Sequence, residues 1–294
     1  MGETVHVIVL NWNGAAVLGP CLASLAKVRE PRLEILVVDN ASSDGSADIV
    51  RRDHPRVELL VNERNLLFAG GNNAGLRRAM ARGARRVLLL NNDTEVDPDF
   101  AARLLESLER DPRAGIAGPK ILYHDDPSRV WYGGAGFYPL VGVPRHRNIR
   151  RLDGSFPERS GETEWVSGCA MLVRREVFEA VGLLDPSYTI YCEDVDFCLR
   201  ARRAGWRCVY EPAARVWHKV SASSGGGMTP YKLENRIAST GRLFARHRPA
   251  WWRALLAPAH AAGLALLVAA LFASGRTALA RAAWRGASRA AVRS

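Results

Sequence analysis

LEILVVDNASSDGS, residues 33–46, decides the fold: a continuous apolar run ends on the carboxylate of Asp39, and a Ser/Gly turn then feeds a helix. A strand apolar on both sides needs cover on both faces, as in parallel sheets. Upstream, VHVIVL (5–10) is a second such run, closed by the polar turn Asn11–Gly14 and a helical stretch to about Val28. Downstream, Val57–Val61 reads as a short strand, Ala69–Gly83 as a glycine-rich turn feeding a helix, and RVLLLN (86–91) as a fourth strand. Ser42 or Ser43 can cap the helix after Asp39, with Asp44 in its first turn. Asp97-Pro98 starts another helix, as cap and first residue. Strand–helix alternation predicts an α/β fold with a mostly parallel central sheet flanked by helices. Ligands of such sheets sit beyond the carboxyl ends of the strands, where Asn11, Asp39 and Asn91–Asp93 fall.

Residues 115–165 are less regular and rich in Gly, Pro and aromatics. A second block follows: a strand around Trp165–Val173, a helix from Arg174, a sharp turn at Gly182–Pro186, a helix from about Glu193 to Ala204, and a strand Arg207–Tyr210 leading to Trp217-His218. SASSGGG (221–227) reads as a flexible loop and Pro230–His247 as a helix. No internal repeat is visible.

The 294 residues are 48% hydrophobic and 24% charged, enough apolar residue for a sizeable core and unlike a disordered or collagen-like chain. The net charge of +11 invites nucleic acid or a membrane surface as partner. Its distribution weakens the first, and no nucleic-acid partner is expected: ten arginines and no acid lie between Asn235 and Ser294, so residues 1–234 are near neutral. Five cysteines without a C-x-x-C pair argue against a disulfide framework or a Cys-based zinc site, and for reduced thiols in a cytosolic domain. Met1-Gly2-Glu3 leads straight into a strand-like run, so no signal peptide is expected.

Three clusters carry chemistry. Asp39, before Asn40–Ser46, can accept hydrogen bonds from a base N–H or ribose hydroxyls; a plain strand–turn–helix explains it equally well. Gly70–Gly75 fails both the P-loop and the dinucleotide patterns, because Leu76-Arg77 follows and the glycine spacing is wrong. Asn91-Asn92-Asp93 can hold a hard divalent cation bridging two phosphates, or form a simple polar turn. Glu193, Asp194 and Asp196 open a helix; capping alone does not require three acids in four positions. His218, beyond the following strand, can converge with Asp194 on one site.

Taken together these stretches resemble the family-2 glycosyltransferases of GT-A fold, especially the rhamnosyltransferase-like branch. The matches are VIVLNWNG (7–14), VVDNASSDGS (37–46), NLLFAGGNNAG (65–75), LLLNNDTEVDP (88–98), WVSGCAMLVRREVFEAVGLLD (165–185), YCEDVDFCLRARRAGW (191–206) and VWHKVSASSG (216–225), in the family's order. The resemblance implies inverting transfer from a nucleoside-diphosphate sugar, dTDP-rhamnose foremost, to a glycan or lipid-linked acceptor. It makes Asp39 the base contact, with Asn11, Asp44, Asn72 and Asn92 in the same nucleotide-sugar pocket. Asn91 and Asp93 stand at the ends of the DxD-like motif, Asn91 departing from its first acid. Asp93 and His218 become the residues of a Mn2+ or Mg2+ site. Asp194 becomes the catalytic base, and Trp165, Gly168 and Glu193 line the acceptor or donor-sugar pocket. The implied catalytic domain is 1–230, with a nucleotide-sugar half to about 120 and an acceptor half over 121–230. A sugar-1-phosphate nucleotidyltransferase would instead show a glycine-rich, Arg-bearing loop after the first strand, where this chain has Asn11-Trp12-Asn13-Gly14. A non-catalytic carbohydrate-binding protein would not need Asp93, Asp194 and His218 together.

Residues 231–294 form a basic helical extension. Ala254–Ala273 is about long enough for a bilayer span, but its basic flanks conflict with the positive-inside tendency. Arg281, Arg285, Arg289 and Arg293 recur every four residues beside Trp284, which suits a helix lying on an anionic membrane surface. The expected location is the cytoplasm, peripheral on the inner face of the membrane. The alternative is a soluble helical pair, packed on the catalytic domain or on a second copy in a homo-oligomer.

Overall fold

The apolar runs become the middle of one sheet. The computed structural model describes residues 3–139, 141–220 and 227–291. β1 (Thr4–Asn11) leads into α1 (Ala15–Leu25), β2 (Arg32–Asp39) into α2 (Ser46–Asp53), and β3 (Glu58–Val61) into α3 (Leu67–Ala81). β4 (Arg86–Asn91), β5 (Thr94–Val96), α4 (Phe100–Glu109) and the long β6 (Ala114–Tyr123) follow. The irregular stretch carries β7 (Val130–Tyr132), β8 (Ala135–Phe137), β9 (Pro144–His146) and β10 (Gly161–Thr163). β11 (Ala170–Arg174), α5 (Arg175–Val181), α6 (Glu193–Arg203) and β12 (Arg207–His218) complete the α/β part. Then come α7 (Pro230–His247), α8 (Ala250–Ala273) and α9 (Thr277–Ala291).

The sheet order is β10-β12-β6-β11-β4-β1-β2-β3, with β5 and β7 beside β12 and β6. β3, β2, β1 and β4 run parallel. β11 enters antiparallel between β4 and β6, and β12 lies parallel to β6. The chain steps outward from β1 through β2 to β3, then returns on the other side of β1 as β4. That reversal opens a crevice at the carboxyl ends of β1, β2 and β4. Val7, Ile8, Val9, Val37, Val38, Leu88, Leu89 and Leu90 are buried in the core beneath it.

Several local readings need correction. Gly70, Gly71 and Gly75 stand inside α3 rather than in a turn, and only Gly83, at φ 79°, lies in the turn that follows it. A Cβ on Gly71 would lie 2.4 Å from Leu10 Cδ1, and on Gly75 2.7 Å from Ile8 Cγ2, so small residues here let α3 press onto β1. The cap of α2 is Gly45, at φ 81°, with no side-chain capping bond, so neither Ser42 nor Ser43 caps it. α4 begins at Phe100 behind Asp99, while Asp97 accepts the Asp99 N–H in the preceding turn. The Trp165–Cys169 stretch is irregular, and β12 continues unbroken from Arg207 to His218 with a bulge between Glu211 and Arg215. All five cysteines are free and buried. The 221–227 loop falls largely outside the described residues, as does Arg293.

In the extension, α9 packs on α7: a Cβ on Gly286 would meet the Glu234 carbonyl oxygen at 2.5 Å. Arg285 and Arg289 both turn to Glu234, at 2.8 and 3.1 Å. The four-residue arginine repeat therefore does not form one lipid-facing stripe, since two of its members are spent on α7. α8 is long and apolar enough to cross a membrane by length and composition; most of it is exposed, while Trp252 and His260 pack on Phe244 of α7 and Leu264, Val268 and Leu271 pack on α9.

Candidate active site

The sheet brings most of the singled-out residues to its carboxyl edge, in three groups. The first is a buried amide chain. β1 and β2 are in register, pairing Asn11 with Asp39. Asn11 Nδ2 donates to Asp39 Oδ2 and to Ser46 Oγ, both at 2.8 Å, and Asn92 Nδ2 donates to Asn11 Oδ1 at 2.6 Å. Ser42 N–H donates to Asp39 Oδ1 at 2.8 Å. Gly14 is required by this packing, because a Cβ there would lie 2.1 Å from Asn92 Nδ2. Asp44 accepts from the Ala15 N–H at 2.8 Å and from the Ser46 hydroxyl at 2.6 Å. Burial acts to raise its pKa, but these hydrogen bonds outweigh it and hold the carboxyl below its ordinary value. Asp44 and Asn92 thus brace the ends of β1 and β2 by bonds to the chain itself.

The second group is Asp93 with His218. β5 pairs with β12 so that Thr94 lies opposite His218, and the Lys219 N–H donates to the Asp93 carbonyl at 2.8 Å. This register sets His218 Nε2 3.2 Å from Asp93 Oδ1. Trp131 stands edge-on to the imidazole, with ring centroids 4.7 Å apart. Burial opposes a charged ring, yet Cys169 and Asp93 beside it raise the His218 pKa to about 10. Among the described residues no three His, Cys, Asp or Glu side chains converge as a metal cage. The pair suits a hard divalent cation beside a diphosphate once the His218 ring gives up its proton, since the buried Asp93 Oδ1 is then met by no other donor among the described residues. One or two protein ligands plus phosphate oxygens is the habitual arrangement for Mg2+. The Asn91 side chain makes no hydrogen bond among the described residues, while its backbone N–H donates to the Cys169 carbonyl at 2.9 Å.

The third group is the start of α6. Asp194 is half-buried, and both carboxylate oxygens accept backbone N–H groups, Oδ2 from Gly168 at 2.9 Å and Oδ1 from Val195 at 2.8 Å. Burial nevertheless raises its pKa. Glu193 is buried, with Oε2 unpartnered. Burial first, and the Asp194 charge second, raise its pKa to about 8. Two adjacent carboxyls that cannot both ionise cheaply share one proton near neutrality. Asp194, with two N–H donors, is the better home for the remaining charge.

Two residues fall elsewhere. Asn72 lies inside α3 and donates to the Phe68 carbonyl at 3.0 Å; its link to Asp194 runs through Phe68, whose ring lies against Gly168. Trp165 is a core residue rather than a pocket wall, its indole N–H donating to the Gly136 carbonyl at 3.1 Å. The sequence reading missed His146, whose ring sits against Trp131, Tyr132 and Trp165. Burial lowers its pKa to about 4, so it stays neutral as a wall. It also missed Asn73, whose amide clamps both backbone groups of Leu184. No local pattern marks either residue, whereas Asp196, one of the three acids noted at the start of α6, is buried in an ion cluster rather than turned to a ligand.

The parallel β3-β2-β1-β4 half, the antiparallel β11 and the acids at the strand ends define a GT-A type fold. The structure superposes on a mannosyltransferase from Pyrobaculum calidifontis, described as in complex with GDP-Man and Mn2+, with a TM-score of 0.61 at 19% identity, covering 99% of this chain and 88% of the other. GalNAc-T7 with UDP, GalNAc and Mn2+ gives 0.62 at 19% identity, over 84% of this chain and 52% of that one.

Residues 6–182 match the family described as Glycosyl transferase family 2, and the chain belongs to that family. It is 32% identical over 280 residues to the N-acetylglucosaminyl-diphospho-decaprenol L-rhamnosyltransferase of Mycobacterium tuberculosis, covering 87% of this chain and 89% of that one. With the dTDP-rhamnosyl transferase RfbF of Shigella flexneri it shares 25% over 227 residues, 76% and 72% of the two chains. The chain is therefore a rhamnosyltransferase-like member of the family, a glycosyltransferase using a nucleotide sugar.

Proposed function

We propose that the protein is an inverting, metal-dependent rhamnosyltransferase. It takes the sugar from dTDP-rhamnose and places it on a hydroxyl of a lipid-linked or cell-surface glycan acceptor. The observation that carries the reading is Asp194, a carboxylate of raised pKa fixed by the backbone N–H groups of Gly168 and Val195, next to the Cys169 carbonyl that receives the Asn91 N–H at the end of β4. The printed names of the rhamnosyltransferase relatives support the choice of sugar and acceptor.

Asp39 accepts from the nucleobase, Asn11 and Asn92 holding it in place, and Asn91 faces the diphosphate. Asp93 and His218 would hold Mn2+ or Mg2+, which would supply neutralisation of the charge that builds on the departing diphosphate. Asp194 takes the proton of the acceptor hydroxyl as that oxygen attacks the anomeric carbon opposite the leaving group. Such a base contributes on the order of 10²–10⁴-fold. One carboxylate on the acceptor side suffices; retention through a covalent intermediate would need a second beneath the sugar ring. Glu193, held protonated beside it, keeps the acceptor pocket from accumulating a second charge. The reading places residues 1–230 as catalytic domain and the enzyme in the cytoplasm, with the exposed α8 lying on the inner face of the membrane.

The experiment is a screen of nucleotide-sugar donors for thermal stabilisation with and without Mn2+, since a ligand bound only to the native state raises its apparent stability. dTDP-rhamnose with Mn2+ should stabilise most. No stabilisation by any nucleotide sugar would sink the reading.

A further inference from the structure

The geometry points to α7 as a positioning element of the active site: His247, through the buried carboxylate of Asp196, fixes the end of α6 that carries Asp194. This rests on Asp194 being the base. Tyr191 and Cys192, the residues just before α6, are both left-handed, at φ 70° and 67°. Two consecutive non-glycine residues in that region persist only where their surroundings fix them. Here α7 supplies much of the fixing. The Ser239 hydroxyl donates to the Ile190 carbonyl at 2.8 Å, and the Arg242 guanidinium lies over the Tyr188 ring.

The centre of the clasp is Asp196, wholly buried. Its Oδ2 accepts from Arg200 Nε at 2.8 Å. Its Oδ1 accepts from His247 Nε2 at 2.7 Å, lies 3.4 Å from Arg246 Nε, and is reached by the Tyr188 hydroxyl at 3.4 Å. Arg200 donates onward to the carbonyls of Val181 and Leu183, and Arg246 pairs with Asp185, so the start of the loop before α6 is held here as its end is held by Ser239. Burial raises the Asp196 pKa, but His247 and Arg200 outweigh it and hold the carboxyl below its ordinary value.

Asp194 and Asp196 are two residues apart on a helix, so their side chains point to different sides. With Asp196 bolted to α7, the rotation of the first turn is set, and Asp194 is aimed at the Gly168 N–H. A reacting group displaced by about 1 Å can lose on the order of 10²-fold in rate. The functional unit therefore extends through α7, past the boundary near residue 230 that the sequence suggests.

The test compares His247→Ala with His247→Gln, whose amide N–H can reach where Nε2 stood. The substrates are dTDP-rhamnose, Mn2+ and N-acetylglucosaminyl-diphospho-decaprenol. His247→Ala should lower kcat about 10–100-fold, with donor KM and donor-induced thermal stabilisation within about twofold; His247→Gln should recover most of the loss. A kcat within about twofold of wild type in the alanine variant, or a glutamine variant no better than alanine, overturns the proposal. Hydrogen exchange reads it without substrate: amides over residues 188–197 should quicken in His247→Ala while β1 and β4 hold, and unchanged or uniformly faster exchange counts against it. Should His247→Ala fail to fold, Ser239→Ala carries the same exchange test. Full activity of an Asp194 variant would overturn the base assignment alone, leaving the exchange result standing.

Discussion

Asp194→Asn removes the base while nearly preserving shape, and its cost can be worked from the site. The native carboxylate accepts from Gly168 at 2.9 Å and from Val195 at 2.8 Å. An asparagine keeps one accepting oxygen and turns an NH2 toward the other N–H. That mismatch costs about 1–3 kcal/mol locally, a modest fall in melting temperature. The chemical loss is larger: a missing general base is worth on the order of 10²–10⁴-fold, or about 3–5 kcal/mol of barrier. Nucleotide binding should survive, because Asn11, Asp39 and Asn92 form a separate hydrogen-bonded group. The assay is dTDP release from dTDP-rhamnose in the presence of acceptor, alongside donor-induced thermal stabilisation. Turnover within about threefold of wild type would refute the base assignment. So would a loss of donor binding as large as the loss of turnover, which would place Asp194 in the donor site instead.

Glu193→Gln tests the shared proton. A carboxyl raised to about 8 in the fold binds a proton that the unfolded chain, near 4.5, has released. Its contribution to stability is therefore full at low pH and is lost as pH rises from about 4.5 through 8, at up to about 1.4 kcal/mol per unit. Melting temperatures from pH 5 to 8.5 should fall less steeply in Glu193→Gln than in wild type; parallel curves would show that Glu193 does not titrate this way. His218→Ala should raise the Mn2+ concentration needed for half-maximal activity, and an unchanged metal titration would remove His218 from the metal site. Deleting residues 250–294, which keeps His247, should move the protein from membrane to soluble fractions with the melting of the α/β part largely retained; unchanged fractionation would refute an anchoring role for α8.

The strands were legible because Val5–Leu10, Leu33–Asp39 and Arg86–Asn91 must be covered on both faces whatever surrounds them. The polar residues that end them were legible as site candidates for the same reason: the crevice lies at strand ends. Glycine in α3 misled because its absent Cβ has two uses, breaking a helix or letting it press on a sheet. Only the position of Leu10 and Ile8 against Gly71 and Gly75 decides between them. Trp165 sits in a motif full of site residues, yet its indole answers to a carbonyl 29 positions away. His247 and Asp196, 51 apart, form a contact that no local pattern encodes. His146 and Trp131 come from the irregular stretch, where no periodicity assigns a face.

Glu234 stands one residue before sixty without another acid, and it holds both Arg285 and Arg289. The last helix is thereby tied back to the one that enters the catalytic fold. α8, 24 residues long, covers about 36 Å between them. Were it to cross a bilayer, its far end would emerge on the opposite side and α9 would have to abandon α7 or follow it into the hydrocarbon with its arginines. As long as that pairing stands, the two ends of α8 are tethered to the same side, whatever surface its exposed face meets.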